Sequence, residues 1–174
     1  MRLFIAVEFE ELAGYFKQLQ EKIPEAKATF PKQFHLTLKF LGEIPDDKVE
    51  EIKQKLRQVK FNPFKLKLTN TGIFPNEKFI RVVWVGLGDS NNVLDLQQKI
   101  EDSLQGSFKR DDRFSPHITL ARIKFIDNDK KMEFVKAINA IKVEPKEIAV
   151  KNFKLVKSIL TKEGPIYEDL EVFG

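Results

Sequence analysis

Two histidines occur in the chain, and each opens the same short pattern: His35-Leu36-Thr37-Leu38 and His117-Ile118-Thr119-Leu120. Imidazole is the side chain whose ordinary pKa lets neutral and protonated forms coexist near pH 7, so a pair can release a proton at one atom while accepting one at another. In an extended strand alternate side chains share a face. Each histidine therefore projects with its threonine, the two Cα atoms about 7 Å apart, while Leu36 or Ile118 points the other way. A hydroxyl beside each ring is suited to bonding oxygens on which negative charge accumulates. One isolated His-x-Thr is more often an ordinary hydrogen-bonded core or edge residue. Two copies that use every histidine in the protein favour a site.

Other chemistries are narrowed by what the chain lacks. No cysteine is present, which excludes disulfide frameworks, thiolate nucleophiles and cysteine-based zinc sites. Two histidines with no acidic residue in either motif make a poor transition-metal site, so neither a metal nor another cofactor is expected. Thirty Lys and Arg against 26 Asp and Glu give a net charge of +4, a moderate bias that suits a polyanionic partner without demanding one. The opening Met1-Arg2-Leu3-Phe4-Ile5-Ala6-Val7 is short and runs into acidic residues, so it reads as a strand rather than a leader peptide. No stretch approaches the ~18 apolar residues of a membrane span. A cytoplasmic, monomeric protein with no membrane partner is the expectation.

The elements that position the histidines repeat. Displacing the sequence by 82 residues lays 35–74 on 117–156 without a gap. His35, Thr37 and Leu38 then meet His117, Thr119 and Leu120, and Asp47, Lys48 and Glu51 meet Asp129, Lys130 and Glu133. Apolar positions agree as well: Ile52, Leu56 and Val59 fall on Phe134, Ile138 and Ile141, and Leu66 and Leu68 fall on Ile148 and Val150. Within each copy the apolar spacing changes from two, to three and four, and back to two, which predicts strand, helix, strand. Pro45 and Asp46 mark the entry to the first of these helices.

Upstream of each motif the pattern predicts a further strand and helix: 3–7 and 10–23 in the first half, 80–87 and 91–104 in the second. A last strand over 166–173 follows the turn residues Gly164 and Pro165. With 174 residues, 42% of them apolar, the chain can bury one substantial core. The expected fold is α+β, a pseudo-two-fold duplication in which two antiparallel sheets face a central groove with helices outside. The chain should form a single domain over 1–174, with lobes of roughly 1–78 and 79–174. Such an axis would bring both histidines to one groove.

The paired motifs resemble the 2H phosphoesterase superfamily, in particular its RNA 2′,3′-cyclic phosphodiesterases, also called 2′-5′ RNA ligases. The resemblance extends over Arg2-Leu3-Phe4-Ile5-Ala6, His35 through Glu43, Arg81-Val82-Val83-Trp84, His117 through Arg122, and the segment from Ser158 to Tyr167. It implies hydrolysis of cyclic phosphate ends on RNA to a 2′-phosphate, tRNA fragments being one candidate substrate, and in some members the reverse joining of ends through a 2′-5′ linkage. It also implies His35 as proton donor and His117 as proton acceptor, roles that spacing alone does not assign. The residue types agree with that chemistry: one imidazole deprotonates the attacking water, the other protonates the departing ribose oxygen, and Thr37 and Thr119 bond the phosphate.

The resemblance further implies that Arg122 binds substrate phosphate. Strict alternation argues otherwise, placing Arg122 opposite His117 and Thr119 unless the strand ends or twists there; the plain alternative is a solvated or ion-paired arginine. Lys109, Arg110 and Arg113 could guide RNA or form an ordinary charged loop with Asp111 and Asp112. Trp84 and most of the 16 phenylalanines, Phe34 among them, read as core. Two other functions stay open: a non-catalytic module that binds RNA ends, and a phosphodiesterase for a small cyclic nucleotide.

Overall fold

The computed structural model describes every residue except Asp89 and Glu163. Among the described residues, nine strands and four helices follow in the order β1 (Arg2–Glu8), α1 (Ala13–Glu21), β2 (Lys27–Thr29), β3 (His35–Glu43), α2 (Val49–Leu56), β4 (Phe64–Pro75), β5 (Ile80–Gly88), α3 (Asn91–Ser103), β6 (His117–Phe125), α4 (Lys131–Asn139), β7 (Glu147–Val150), β8 (Phe153–Thr161) and β9 (Gly164–Phe173). The duplication holds at the level of single residues. β3 and β6 are both nine residues long with the same sequence of buried and open positions, and a short 3-10 turn enters α2 at Asp46–Lys48 and α4 at Asn128–Lys130.

The strand pairings among these residues are antiparallel, in line with the α+β expectation. The strands run β7-β4-β5-β6-β3-β1-β8-β9, with β2 added to β6. The two expected sheets are joined by one bridge between β3 and β6, Leu36 to Ile118. These are counterparts under the 82-residue displacement, so the local two-fold axis passes between them. The same holds where β4 meets β7, in the pair Leu66 and Ile148.

The lobes do not divide the chain at its midpoint. β4, from the first half, pairs with β5, and β8, from the second half, pairs with β1. The exchange is symmetric: Gly72 lies across from Trp84 as Lys154 lies across from Ala6. Each half thus contributes strand to the other's sheet, β4 beside β5 and β8, with β9 beyond it, beside β1. The β4–β5 pairing is a hairpin, whereas β1 and β8 lie far apart in sequence, and local periodicity carries no trace of that second pairing.

One face of the sheet is covered by the helices. Phe16 and Leu19 of α1, Ile52 and Leu56 of α2, Leu96 and Ile100 of α3, and Phe134 and Ile138 of α4 share one core with Leu36, Leu38, Ile118 and Leu120. Since neighbouring residues on a strand alternate, burying these leucines and isoleucines leaves the histidines and threonines on the opposite, open face. Among the described residues no helix is long and apolar enough to cross a membrane.

Candidate active site

His35 and His117 each stand at the first residue of their strand, half-buried, with Thr37 and Thr119 also half-buried two positions on. The Leu36–Ile118 bridge sets the two motifs side by side and antiparallel on the open face. Proximity is also expressed electrostatically. Burial is the main reason that the pKa of His35 falls to about 4, and the charges of Arg122 and then His117 lower it further. The pKa of His117 is lowered as well, chiefly by burial and also by Arg122, against a raising influence from its bond to Ser115. In the unliganded groove both rings are therefore neutral near pH 7.

Aromatic side chains hold each ring. His35 lies 5.0 Å from Phe4 in a tilted arrangement and meets Tyr167 edge-on at 5.2 Å. His117 meets Phe74 edge-on at 4.9 Å, and Phe74 rests against Trp84 at 5.0 Å. That last contact depends on Gly72, where a Cβ would collide with the indole. The Nδ1 of His117 is 2.7 Å from the carbonyl oxygen of Ser115. A carbonyl can only accept, so Nδ1 carries the hydrogen and the neutral ring keeps Nε2 as its free base position.

Glu8 lies directly across from His35 in the ladder, yet its carboxylate bonds Lys154, which also bonds Asp169. The acid nearest to His35 in the sheet is thus neutralised by a lysine and does not hold a proton on the imidazole. Tyr167 remains a neutral phenol well above neutrality, because burial raises its pKa more than Arg122 and Arg2 lower it.

Arg122 reaches the groove despite the alternation argument. Early in each motif strand an extra residue interrupts the ladder: Leu38 between the partners of Ala6 and Ile5, and Leu120 between the partners of Trp84 and Val83. These are β-bulges at equivalent positions, and each moves the side chains that directly follow it to the opposite face. Ala121 and Ile123 consequently turn into the core and Arg122 turns out, where its charge acts on both histidines and on Tyr167. It lines a cavity of about 350 Å³ with Arg2, Phe4, His35, Phe40 and Tyr167. A second cavity of about 240 Å³, lined by Phe30, Lys32 and Ile166 among others, shares Arg122 and Tyr167 with the first.

In the first half the same bulge drives Lys39 inward. Lys39 is 3% exposed, bonds both oxygens of Glu101 at 2.9 and 2.8 Å, and donates to the carbonyl of Lys109 at 2.9 Å. Gln97 and the backbone N–H of Asp111 also bond Glu101. A buried ion pair thus ties the segment preceding His117 to the strand that carries His35. Arg110 pairs with Asp102 at 3.2 Å, which favours the charged-loop alternative for this residue.

Other features escaped the linear reading. Phe34 is buried, as expected. Trp84 is not simply core: it lies across from Thr119 on the open face and is half-buried beneath His117's aromatic support. The roles of Phe4, Phe74 and Tyr167 around the histidines depend on strand partners that spacing does not reveal. Phe40 and Arg122 are aligned by the 82-residue displacement, a signal present in the sequence itself. Among the described residues no group of three or more His, Asp or Glu side chains is arranged to hold a metal ion.

The model of the LigT-like phosphoesterase family matches residues 5–84 and again 86–167, once for each half. A Methanocaldococcus jannaschii protein named RNA 2′,3′-cyclic phosphodiesterase is 39% identical over 97% of each chain. Its namesake from Archaeoglobus fulgidus is 36% identical over 99% of each. The crystal structure of TT0787 from Thermus thermophilus superimposes with a TM-score of 0.81 at 32% identity, covering 99% of this chain and 97% of that one. E. coli LigT complexed with 3′-AMP gives 0.76 at 25% identity over 98% and 95%. Matched along nearly its whole length and once per repeat, the chain belongs to the LigT-like phosphoesterase family.

Proposed function

We propose that the protein hydrolyses 2′,3′-cyclic phosphate ends of RNA to 2′-phosphomonoesters by metal-independent acid–base catalysis. The observation that carries this reading is a pair of electrostatically coupled histidines on one open face, with Arg122 acting on both. The names of the M. jannaschii and A. fulgidus relatives support the substrate class.

His117 is suited to the base role because its bond to Ser115 leaves Nε2 free to accept a proton. Water attacks phosphorus as His117 takes one of its protons. The P–O3′ bond breaks, and His35 gives a proton to the departing 3′ oxygen, leaving phosphate on the 2′ oxygen. Thr37, Thr119 and Arg122 bond the non-bridging oxygens as charge builds up. His35 must first be protonated, and the anionic phosphate provides the means, since negative charge offsets Arg122 and raises the ring's pKa. With the 5′ hydroxyl of a second RNA in place of water, the same groups permit a 2′-5′ joining of ends. Action as a monomer on RNA ends, with tRNA fragments in the cytoplasm a candidate source of them, is part of this proposal.

The test is an oligoribonucleotide ending in a 2′,3′-cyclic phosphate, incubated with the protein in excess chelator and analysed by phosphorus NMR. A 2′-phosphate product is expected. Tight binding without turnover would replace this reading with that of an end-binding module, and turnover confined to cyclic mononucleotides would replace RNA with a small substrate.

A further inference from the structure

The far end of β6 carries a second group of charged and aromatic side chains. Beyond Arg122 the pairing slips once more: Ala28 faces Ile123 and Lys27 faces Phe125, which leaves Lys124 unpaired as a further bulge and both Lys124 and Phe125 open to solvent. They line a cavity of about 180 Å³ with Lys78, Phe79, Arg81 and Lys131. We propose that this cavity binds single-stranded RNA on the 5′ side of the cyclic phosphate end, its cations taking the backbone and its two rings the bases. The proposal rests on the reading of the groove as an RNA phosphodiester site, and it adds the surface that tells a polymer from a mononucleotide.

Charge selects the occupant. Asp127, close by in sequence, is 3.8 Å from Lys130, and among the described residues no carboxylate pairs with Lys78, Arg81, Lys124 or Lys131. Lys131 instead donates to the carbonyl of Lys78 at 3.3 Å, which keeps two of the cations side by side. Glu77 adjoins Lys78 in the chain but does not line the cavity. Cations gathered without counter-charges at one concavity attract a polyanion. The rings narrow the partner further. Singly exposed phenylalanines are common, yet Phe79 and Phe125, 64% and 59% exposed, share this one cavity with the cations. Unpaired bases stack on rings placed in this way while the neighbouring cations neutralise their phosphates. A duplex, whose bases are already stacked on one another, gains nothing from them.

Two observations tie the cavity to the groove. Arg122 and Lys124 stand two residues apart on one strand, a separation of about 7 Å, and Arg122 lies across from Val82, the neighbour of Arg81. A chain leaving the phosphate at Arg122 in this direction meets these side chains next. The duplication supplies the other observation: the displacement of 82 sets Gly42, Glu43, Asp46 and Val49 where this half has Lys124, Phe125, Asn128 and Lys131. Glu43 and Asp46 lie 3.9 and 3.8 Å from the amino-terminal ammonium. The fold thus demands neither cations nor a ring at these positions, and their presence in one copy marks that side of the groove as the one a polyanion follows.

The experiment measures binding apart from turnover. Fluorescence anisotropy in a salt series follows an oligouridylate about ten nucleotides long with an ordinary 3′ hydroxyl. Calorimetry with uridine 2′,3′-cyclic phosphate, which does not extend beyond the groove, is the control. Phe125→Ala should raise Kd for the oligonucleotide about tenfold. Phe125→Trp should restore it, whereas Phe125→Leu, apolar but unable to stack, should not. Arg81→Gln combined with Lys124→Gln should flatten the slope of log Kd against log salt by about 1.4, the release expected for two cations on a single strand. Kd for the mononucleotide should stay at the wild-type value in every variant, and thermal melting checks the fold. Unchanged oligonucleotide binding and salt slope would overturn the RNA surface in favour of a protein partner for the two rings, and an equal loss on the mononucleotide would overturn it by moving the defect into the groove; cyclic phosphate hydrolysis stands in either case. A wild-type protein that binds the oligonucleotide through these residues yet leaves a cyclic end intact would overturn the hydrolytic reading and uphold the surface.

Discussion

The Nδ1 of His117 and the carbonyl oxygen of Ser115 are 2.7 Å apart, and this one bond makes the two histidines unequal. His35 is instead held by the rings of Phe4 and Tyr167 and sits at a pKa of about 4. A ring whose tautomer is set by a carbonyl is ready to accept a proton at Nε2. Replacing His117 or His35 by alanine should lower kcat on the order of 10²- to 10⁴-fold while Kd for a cyclic-phosphate oligonucleotide changes little. Single-turnover kinetics with fluorescence anisotropy would separate the two quantities. Either variant turning over at the wild-type rate would remove that histidine from the reaction.

The shifts of both rings below 6.5 make the free enzyme's pH dependence specific. Because kcat/KM reports free enzyme, its maximum should lie below pH 6.5, while the kcat profile should be displaced upward by the charge of bound substrate. Arg122→Ala should raise both pKa values, which proton NMR of the imidazoles would detect, and should increase KM on the order of 10- to 100-fold. Stability follows the same chemistry. A folded-state pKa below the unfolded value means that the unfolded chain takes up the proton first, so stability present above pH 6.5 is lost as pH falls towards 4. For His35 this amounts to roughly 3 kcal/mol by pH 4, measurable as a difference between the wild type and His35→Gln in urea titrations.

Lys39 and Glu101 should be sensitive to removal of one partner and tolerant of removal of both. Lys39→Met leaves a buried carboxylate without its cation, and a loss of about 3–5 kcal/mol is expected in denaturant unfolding. Combining it with Glu101→Leu should recover most of that loss. A single variant within about 1 kcal/mol of wild type would show that the pair is not needed to hold the segment before His117.

The duplication and the two motif strands were legible in the residues, because the displacement of 82 carries over into strand ends, turns and helix starts in both halves. Three neighbours were not. Lys39, Phe40 and Arg122 follow bulges at Leu38 and Leu120, where one unpaired residue reverses inside and outside. Nothing in Leu-Lys-Phe or Leu-Ala-Arg announces that reversal, since a bulge is created by the partner strand as much as by its own sequence. The core assignment of Trp84 missed the groove for a related reason: its surroundings come from Gly72 and Phe74 on β4, which reach it through the strand exchange.

Leu36 facing Ile118, and Leu66 facing Ile148, are what a symmetric homodimer looks like after its two subunits have been fused into one polypeptide. In such a dimer every groove residue would occur twice, and no histidine could differ from its twin. Fusion frees the copies to diverge, so that one can keep an arginine where its sibling has a phenylalanine, and a single anion can be approached by unlike groups from its two sides.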